Sequence, residues 1–268
     1  MNPYAALVTW TIGIFIWMYL LPILIVGTLL CIPFFMFITP MLAAITFTFI
    51  MVFKDEFIVR SPYREYMNNI PYHKWFGHYN TVENPDKPTL ITSHDHGVLC
   101  MGILLAAHFK PNSKTVFAVA PILFSIPFVG WVAKHVGAIP ATEKAICNSL
   151  KTTSVILVPG GIPELITDTP YTRRHGFLRI AQKMDVPILP IKTHTKFYDI
   201  VPIGGFDHRI YVAKHYGIPI MFPLVFGLYV TWLPKRNKIE WTALDIFNMQ
   251  KQDDLEESRK IYYRKIYN

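Results

Sequence analysis

The first 53 residues contain no Asp, Glu, Lys, Arg or His, so all 26 Lys and Arg and all 18 Asp and Glu side chains lie from Lys54 onward. A soluble domain does not forgo charge over such a stretch, and 52% hydrophobic with 16% charged residues is too apolar for an ordinary soluble protein. Cysteine is scarce as well. Cys31, Cys100 and Cys147 are an odd number at unrelated spacings, offering neither a disulfide framework nor a cysteine zinc site. There is no G-x-S-x-G elbow and no Walker loop, against an α/β-hydrolase and a P-loop nucleotidase. No basic run is interleaved with aromatics in the manner of a nucleic-acid surface, and no internal repeat is visible.

One bilayer crossing takes about 20 helical residues at a rise of about 1.5 Å each, so the uncharged stretch is long enough for two. The predicted spans are 5–30 and 34–53, broken at Cys31-Ile32-Pro33, where proline removes a helical donor. A cleaved signal peptide is disfavoured, because no basic residue precedes the apolar region and no compact small-residue site ends it. Lys54, Arg60 and Arg64 follow the second span, and the positive-inside rule then places the rest of the chain in the cytosol. The formal charge of +8 belongs entirely to that part, and suits an anionic leaflet or a phosphate-bearing ligand.

Three parts are expected: a membrane hairpin over 1–53, an aromatic interfacial connector over 54–88 and a cytosolic catalytic domain over 89–268. Tyr63, Tyr66, Tyr72, Trp75, Phe76 and Tyr79 suit a membrane interface or, equally, a packed connector. Asn84-Pro85-Asp86-Lys87-Pro88 reads as the turn that opens the domain. The pattern then alternates. Strands are predicted at 89–93, 115–120, 154–158 and 186–191, and helices at 98–108, 142–151 and 176–184, an α/β rhythm. The run 123–134 is apolar and helical or membrane-facing. The run 203–233 is interrupted by glycine and proline and either dips into the bilayer or joins the core. An amphipathic helix is expected over 253–267.

Three constellations carry candidate chemistry. In Ser93-His94-Asp95-His96-Gly97, at a strand end, His94 and His96 point to one face because side chains alternate with period two. Histidine near its ordinary pKa of about 6.5 is suited to taking a hydroxyl proton at neutral pH, with a carboxylate to orient it. The competing chemistry is a metal held by the same His-x-His. The other histidines are scattered singly and give it no support. In Pro159-Gly160-Gly161-Ile162-Pro163-Glu164, the glycines let backbone amides approach a ligand, and Glu164 arrives near the same sheet edge. Arg173-Arg174-His175-Gly176 stands at the start of a helix, where cations oppose the helix dipole unless an anion lies between. The plainer readings are a structural histidine in the first, a glycine turn with a solvated glutamate in the second, and arginines pointing to water or lipid headgroups in the third.

Taken in order, these segments resemble the type-2 diacylglycerol acyltransferase family, which includes monoacylglycerol and wax-alcohol acyltransferases. That family has an N-terminal membrane hairpin, His-Pro-His-Gly, Gly-Gly-x-x-Glu, and Arg-x-Gly-Phe followed by a helix and a Val-Pro strand. Here these are His94-Asp95-His96-Gly97, Gly160-Gly161-Ile162-Pro163-Glu164, and Arg174-His175-Gly176-Phe177 leading to Val186-Pro187, with Asp95 in place of the family's proline. The resemblance covers roughly residues 5–200. It implies a membrane-anchored, glycerolipid-acyltransferase-like α/β domain, a mixed sheet flanked by helices, after a transmembrane hairpin. It also implies transfer of a fatty acyl group from acyl-CoA, as co-substrate and without a cofactor or metal, to the hydroxyl of a membrane lipid. Diacylglycerol giving triacylglycerol leads, with monoacylglycerol or a fatty alcohol as alternatives.

The roles the resemblance implies are His94 or His96 as base, Glu164 as its partner, and amides at Gly97, Gly160 and Gly161 for the oxyanion. Arg173, Arg174, Gly176 and Phe177 would hold acyl-CoA. Related glycerolipid acyltransferases place Asp five residues after the histidine; Leu99 and Met101 stand there in this chain, and Glu164 is the substitute. Placement in the endoplasmic reticulum or on a lipid droplet, facing the cytosol, with homo-oligomerisation possible and no nucleic-acid partner, completes the expectation. A membrane-bound metal-dependent hydrolase and a non-catalytic lipid-binding protein are the other classes.

Overall fold

The structure is a computed structural model that describes residues 62–94, 100–125, 129–161, 164, 170–201, 211, 215, 224–230, 233–250 and 253–267, together with 24, 26 and 27. The predicted spans 5–30 and 34–53 lie outside the described residues, apart from Leu24, Val26 and Gly27, which are helical. Among the described residues no helix is long and apolar enough to cross a membrane.

Short runs of aliphatic and β-branched residues form a six-stranded sheet of order β3-β2-β4-β1-β5-β8. β1 is Leu90–His94, β2 Thr115–Val119, β3 Ala138–Pro140, β4 Ser154–Leu157, β5 Ile188–Thr193 and β8 Trp241–Ala243. β1 to β5 are mutually parallel, while β8 runs antiparallel to β5 at the edge. A separate antiparallel pair joins β6, Asp199–Val201, to β7, Leu224–Phe226. Strand β1 lies between β4 and β5, with Thr92 paired to Leu157 on one side and Pro190 on the other. A parallel strand in that place is covered on both faces, which is why Leu90 and Ile91 are fully buried.

The covering helices divide by face. Leu90, Val155 and Ile188 pack against α5 (Glu143–Ser149), α6 (Gly176–Met184) and α7 (Leu255–Tyr267). Ile91, Ile156 and Ile191 face the helix that follows β1, through Ile103, Ala106 and Ala107. Period-two alternation therefore directs Leu90, Thr92 and His94 toward the α6 and α7 side. Helix α6 forms because Phe177, Ile180 and Ala181 recur at helical spacing and are buried, while Arg179 and Lys183 stay outside and pair with Glu143. Those exposed pairs add little stability. Asp185 ends the helix in a left-handed conformation, φ 53°. Thr142 caps α5, its hydroxyl accepting from the Ala145 amide at 3.3 Å.

Several elements differ from the sequence expectation. The helix expected over 98–108 is described from Cys100: α3, Met101–Ile103, runs into a π-helical turn, Leu104–His108, closed by Phe109 N donating to Leu104 O at 2.7 Å. The run 123–134 is divided between a 3₁₀ turn, Pro121–Ser125, and α4, Val129–His135. β5 begins at Ile188, two residues late, because Val186 N still donates to Ala181 O at the end of α6. Over 54–88 the described part contains α1, Pro62–Asn68, and α2, His73–Phe76; Met67, Ile70, Tyr72 and Phe76 are buried against Phe197, Tyr198 and Ile239. Those residues pack into the domain, while Tyr66, Trp75 and Tyr79 lie partly buried at its margin. Of 203–233, most lies outside the described residues; β7 and the 3₁₀ turn Leu228–Val230 belong to it.

Candidate active site

The connection after β1 crosses β4 to reach β2, and the one after β4 crosses β1 to reach β5. The two connections run to opposite sides along the sheet order, and in parallel sheets such a reversal of strand order marks the carboxyl ends of the strands as the place where ligands bind. His94 is the last residue of β1, and Pro159-Gly160-Gly161 follows the end of β4. The first two constellations therefore meet at one sheet edge. His96, Asp95 and Gly97 lie outside the described residues, as do Ile162 and Pro163.

His94 is 1% exposed and faces three tyrosines of α7. Its Nε2 lies 2.8 Å from the Tyr262 hydroxyl, which stands 2.5 Å from the Thr92 hydroxyl. Its Nδ1 lies 3.2 Å from the Tyr267 hydroxyl. The Tyr263 ring is edge-on to the imidazole, centroids 6.0 Å apart. Burial raises the Tyr262 pKa far above the ordinary phenol value, so its hydroxyl keeps its proton. The Lys192 ammonium sits 5.7 Å from the Tyr267 ring, on the residue paired across the sheet with His94.

Glu164 is buried, at 7% exposure. Its negative charge reaches Cys100 and Tyr263, adding to burial in raising both: the Cys100 thiol goes to about 12, and Tyr263 is pushed well above the phenol range. Cys100 is therefore a protonated thiol, held at φ 50° just before α3. Gly160 leaves no room for a side chain while Glu164 stays in place, because a Cβ there would lie 1.4 Å from the Glu164 Oε2 and 2.7 Å from its Cβ. Gly161 has φ +55°, the left-handed region glycine tolerates best, and a Cβ on it would meet Arg174 Nη1 at 2.7 Å. The glycine turn, Glu164 and Arg174 are thus brought together.

The third constellation is joined to the same helix. Tyr263 Oη donates to Arg174 O at 3.2 Å, and Arg259 Nη1 donates to Thr172 O at 2.6 Å, so α7 staples the segment that leads into α6. Arg173, Arg174 and Gly176 are exposed at the α6 N-terminus, where His175 supplies no side-chain cap. Phe177 is a packing residue: it is 3% exposed, with its ring 4.9 Å from that of Tyr262, which it helps to seat beside His94. Among the described residues no group of three or more His, Cys, Asp and Glu is placed to hold a metal.

Sequence reasoning passed over Thr92, Cys100, Tyr262, Tyr263 and Tyr267. One signal was available. A tyrosine on the buried stripe of a helix must find a polar partner for its hydroxyl, and Tyr262-Tyr263 falls on that stripe of α7 with Ser258 and Ile266.

Residues 92–194 match the protein-family model described as Acyltransferase. The match opens two residues before His94 and closes just past β5, so it takes in the glycine turn, Glu164 and the Arg173–Arg174 segment, but neither β8 nor α7. No curated protein matches the chain. Among solved structures, the 1-acyl-sn-glycerophosphate (LPA) acyltransferase PlsC from Thermotoga maritima is similar at 16% identity and a TM-score of 0.44, over 75% of this chain and 74% of that one. At those values the likeness carries no further argument.

Proposed function

We propose that, with an acyltransferase match over 92–194 as premise, the chain is a membrane-bound O-acyltransferase that moves a fatty acyl group from acyl-CoA to the hydroxyl of a lipid acceptor. Diacylglycerol, giving triacylglycerol, is the first acceptor; monoacylglycerol and a fatty alcohol come next. The observation that carries the reading is His94, buried at the carboxyl end of β1 inside the matched segment, on the strand paired with β4, whose end leads into the Gly160-Gly161 turn.

In this reaction the acceptor oxygen attacks the thioester carbonyl as its proton passes to the imidazole. The carbon–sulfur bond then breaks, and the proton leaves on the thiol of CoA. The products are an ester and free CoA, without an acyl-enzyme. His94 is the base, His96 of the same motif being the alternative. The negative charge of Glu164 stabilises the imidazolium across a low-dielectric site. Backbone amides at the Gly160-Gly161 turn, and at Gly97, receive the oxyanion. Arg173 and Arg174, with the first amides of α6, hold CoA phosphates.

The acceptor and the acyl chain both partition into lipid, which gives the uncharged first 53 residues a role as an anchor. A basic rim at the same sheet edge supports a bilayer-facing orientation. Segments 194–198 and 235–240 run side by side, with His194 N donating to Glu240 O at 2.9 Å and Lys235 N to Phe197 O at 3.0 Å. They present Lys196, Arg236 and Lys238 outward, Arg236 lying 4.1 Å above the Trp75 ring. Cations and an interfacial aromatic in that order suit the anionic cytosolic leaflet of the endoplasmic reticulum or a lipid droplet.

The test uses the full chain in lipid vesicles with labelled acyl-CoA and a panel of alcohols. Ester formation with stoichiometric release of CoA thiol is expected, and His94→Ala abolishes it. No transfer to any acceptor, or full activity in His94→Ala, His96→Ala and Glu164→Ala alike, overturns the reading.

A further inference from the structure

We infer that α7, outside the segment matched by the family, is a working part of the site: Tyr262 holds His94 in the tautomer whose Nδ1 is the base, and Tyr267 occupies the position on Nδ1 that the acceptor hydroxyl takes. The inference rests on the acyltransferase reading and names the positioning residues of that same site.

The two hydroxyls differ in burial, and that difference assigns their roles. Tyr262 is fully buried at the sheet, between Thr92 and Phe177, and no substrate oxygen can replace it. Tyr267 is half-buried on the last turn of α7, its ring stacked on Tyr263, so its hydroxyl stands nearer the surface than that of Tyr262. The nitrogen that meets the acceptor is therefore Nδ1, and it is basic only if the ring proton stays on Nε2.

The geometry at Tyr262 allows that proton. A phenol has one proton to give and lone pairs to receive. If Tyr262 donates to the Thr92 hydroxyl at 2.5 Å, its oxygen is left to accept from Nε2–H at 2.8 Å. Thr92 and His94 stand two residues apart on the same strand face, so one hydroxyl from α7 reaches both. Burial keeps the Tyr262 proton in place, so Tyr262 does not itself act as a base. When Nδ1 takes the acceptor proton, the bond from Nε2–H to Tyr262 becomes charge-assisted and strengthens as the reaction needs it. Tyr262 thus performs the orienting task for which a five-residue-spaced aspartate is missing.

Tyr267 does something different. Its hydroxyl, 3.2 Å from Nδ1, stands where an alcohol must stand to lose its proton. An acceptor displaces it, so Tyr267 competes with substrate and does not assist it.

The two phenylalanine variants therefore behave in opposite ways in the full chain reconstituted in vesicles. Tyr262→Phe keeps the ring and its packing, loses kcat by about 10- to 100-fold and leaves the acceptor KM in place. That is less than the roughly 10⁴-fold loss known when a charged tautomer-holding group is removed, because a phenol is neutral. Thr92→Val gives a similar loss, and Thr92→Ser, which keeps the hydroxyl, recovers most of it. Tyr267→Phe removes one competing neutral hydrogen bond and lowers the acceptor KM by about 2- to 10-fold.

An activity-independent readout is nitrogen NMR of the ¹⁵N-histidine-labelled chain at alkaline pH. His94 is expected with the proton on Nε2 in the wild type and with mixed tautomers in Tyr262→Phe, thermal melting confirming that each variant is folded. A proton on Nδ1 in the wild type, or a folded Tyr262→Phe with unchanged kcat, overturns the inference while leaving the acyltransferase reading intact. A tightened KM in Tyr262→Phe with a lost kcat in Tyr267→Phe reverses the roles and overturns it equally. If the wild type transfers no acyl group, the functional reading fails by itself, and the tautomer is still decided by NMR.

Discussion

Gly160→Ala is expected to cripple the enzyme through a single methyl group. The new Cβ would sit 1.4 Å from the Glu164 Oε2, 2.4 Å from its Cδ and 2.7 Å from its Cβ. An ordinary contact distance of about 3.5 Å requires the carboxylate to move by about 2 Å. Rotation of the side chain alone does not suffice, because the Glu164 Cβ is also too close and moves only with the backbone. Overpacking of this kind costs about 1–3 kcal/mol of stability, and a misplacement of about 1 Å near the chemistry can lower the rate 10²-fold. The expected outcome is a folded variant with a modestly lower melting temperature and a kcat reduced about 100-fold or more. Glu164→Gln separates charge from position, since the amide keeps the shape and needs no displacement. Initial rates of acyl transfer in vesicles, alongside thermal melting, provide the assay. A folded Gly160→Ala whose kcat stays within about threefold of wild type would refute the reasoning, because Glu164 would then have no catalytic position to lose.

Two further outcomes are expected. His108 is buried, with Nε2 2.7 Å from Val136 O and Nδ1 3.1 Å from Thr115 O; burial first, and Arg64 second, lower its pKa from 6.5 to about 4. The unfolded chain takes that proton near 6.5 and the folded chain resists until about 4, so the stability is complete above about 6.5 and falls as the pH drops toward 4. The loss is about 3 kcal/mol over that window, read from urea midpoints, and His108→Asn should remove this part of the slope. Arg173→Gln combined with Arg174→Gln is expected to raise the KM for acyl-CoA about tenfold and flatten its dependence on salt, as seen in initial rates at graded ionic strength.

Helix α6 was legible to its bounds because its pattern is contiguous: Phe177, Ile180, Ala181 and Met184 mark one face, and the chain leaves the helix at Asp185, left-handed just before Val186-Pro187. The end of β4 was equally plain from Pro159-Gly160-Gly161. The strands β3 and β8 were not, since each has three residues at a sheet edge and exists through its neighbour's hydrogen bonds, not through any pattern of its own. The π-helical turn at Leu104–His108 leaves no trace in composition, all five residues being buried. For the site, His94 was found because an unusual pair of side chains announces itself within five residues. The meaning of α7 was missed for the opposite reason. Its helical run reads as ordinary, and what makes Tyr262 and Tyr267 important is a partner supplied by a distant strand. Aromatic residues over 62–79 carried an ambiguity that only packing resolves: Tyr72 and Phe76 went inside, while Trp75 stayed at the margin beneath Arg236.

The separation of that partner also sets a schedule. Tyr262 follows His94 by 168 residues and Tyr267 follows it by 173. At a synthesis rate of about 5–20 residues per second, His94 is made roughly 8–35 s before the hydroxyls that enclose it. During that interval the face of the nascent sheet bearing Leu90, Val155 and Ile188 lacks its α7 cover, and a contact of such long range is among the last to close. If the uncharged first segment is the membrane anchor proposed above, the bilayer beside it would offer that face a temporary apolar neighbour. That proposed anchor would then act earlier than catalysis, as a folding surface that shelters the unfinished site.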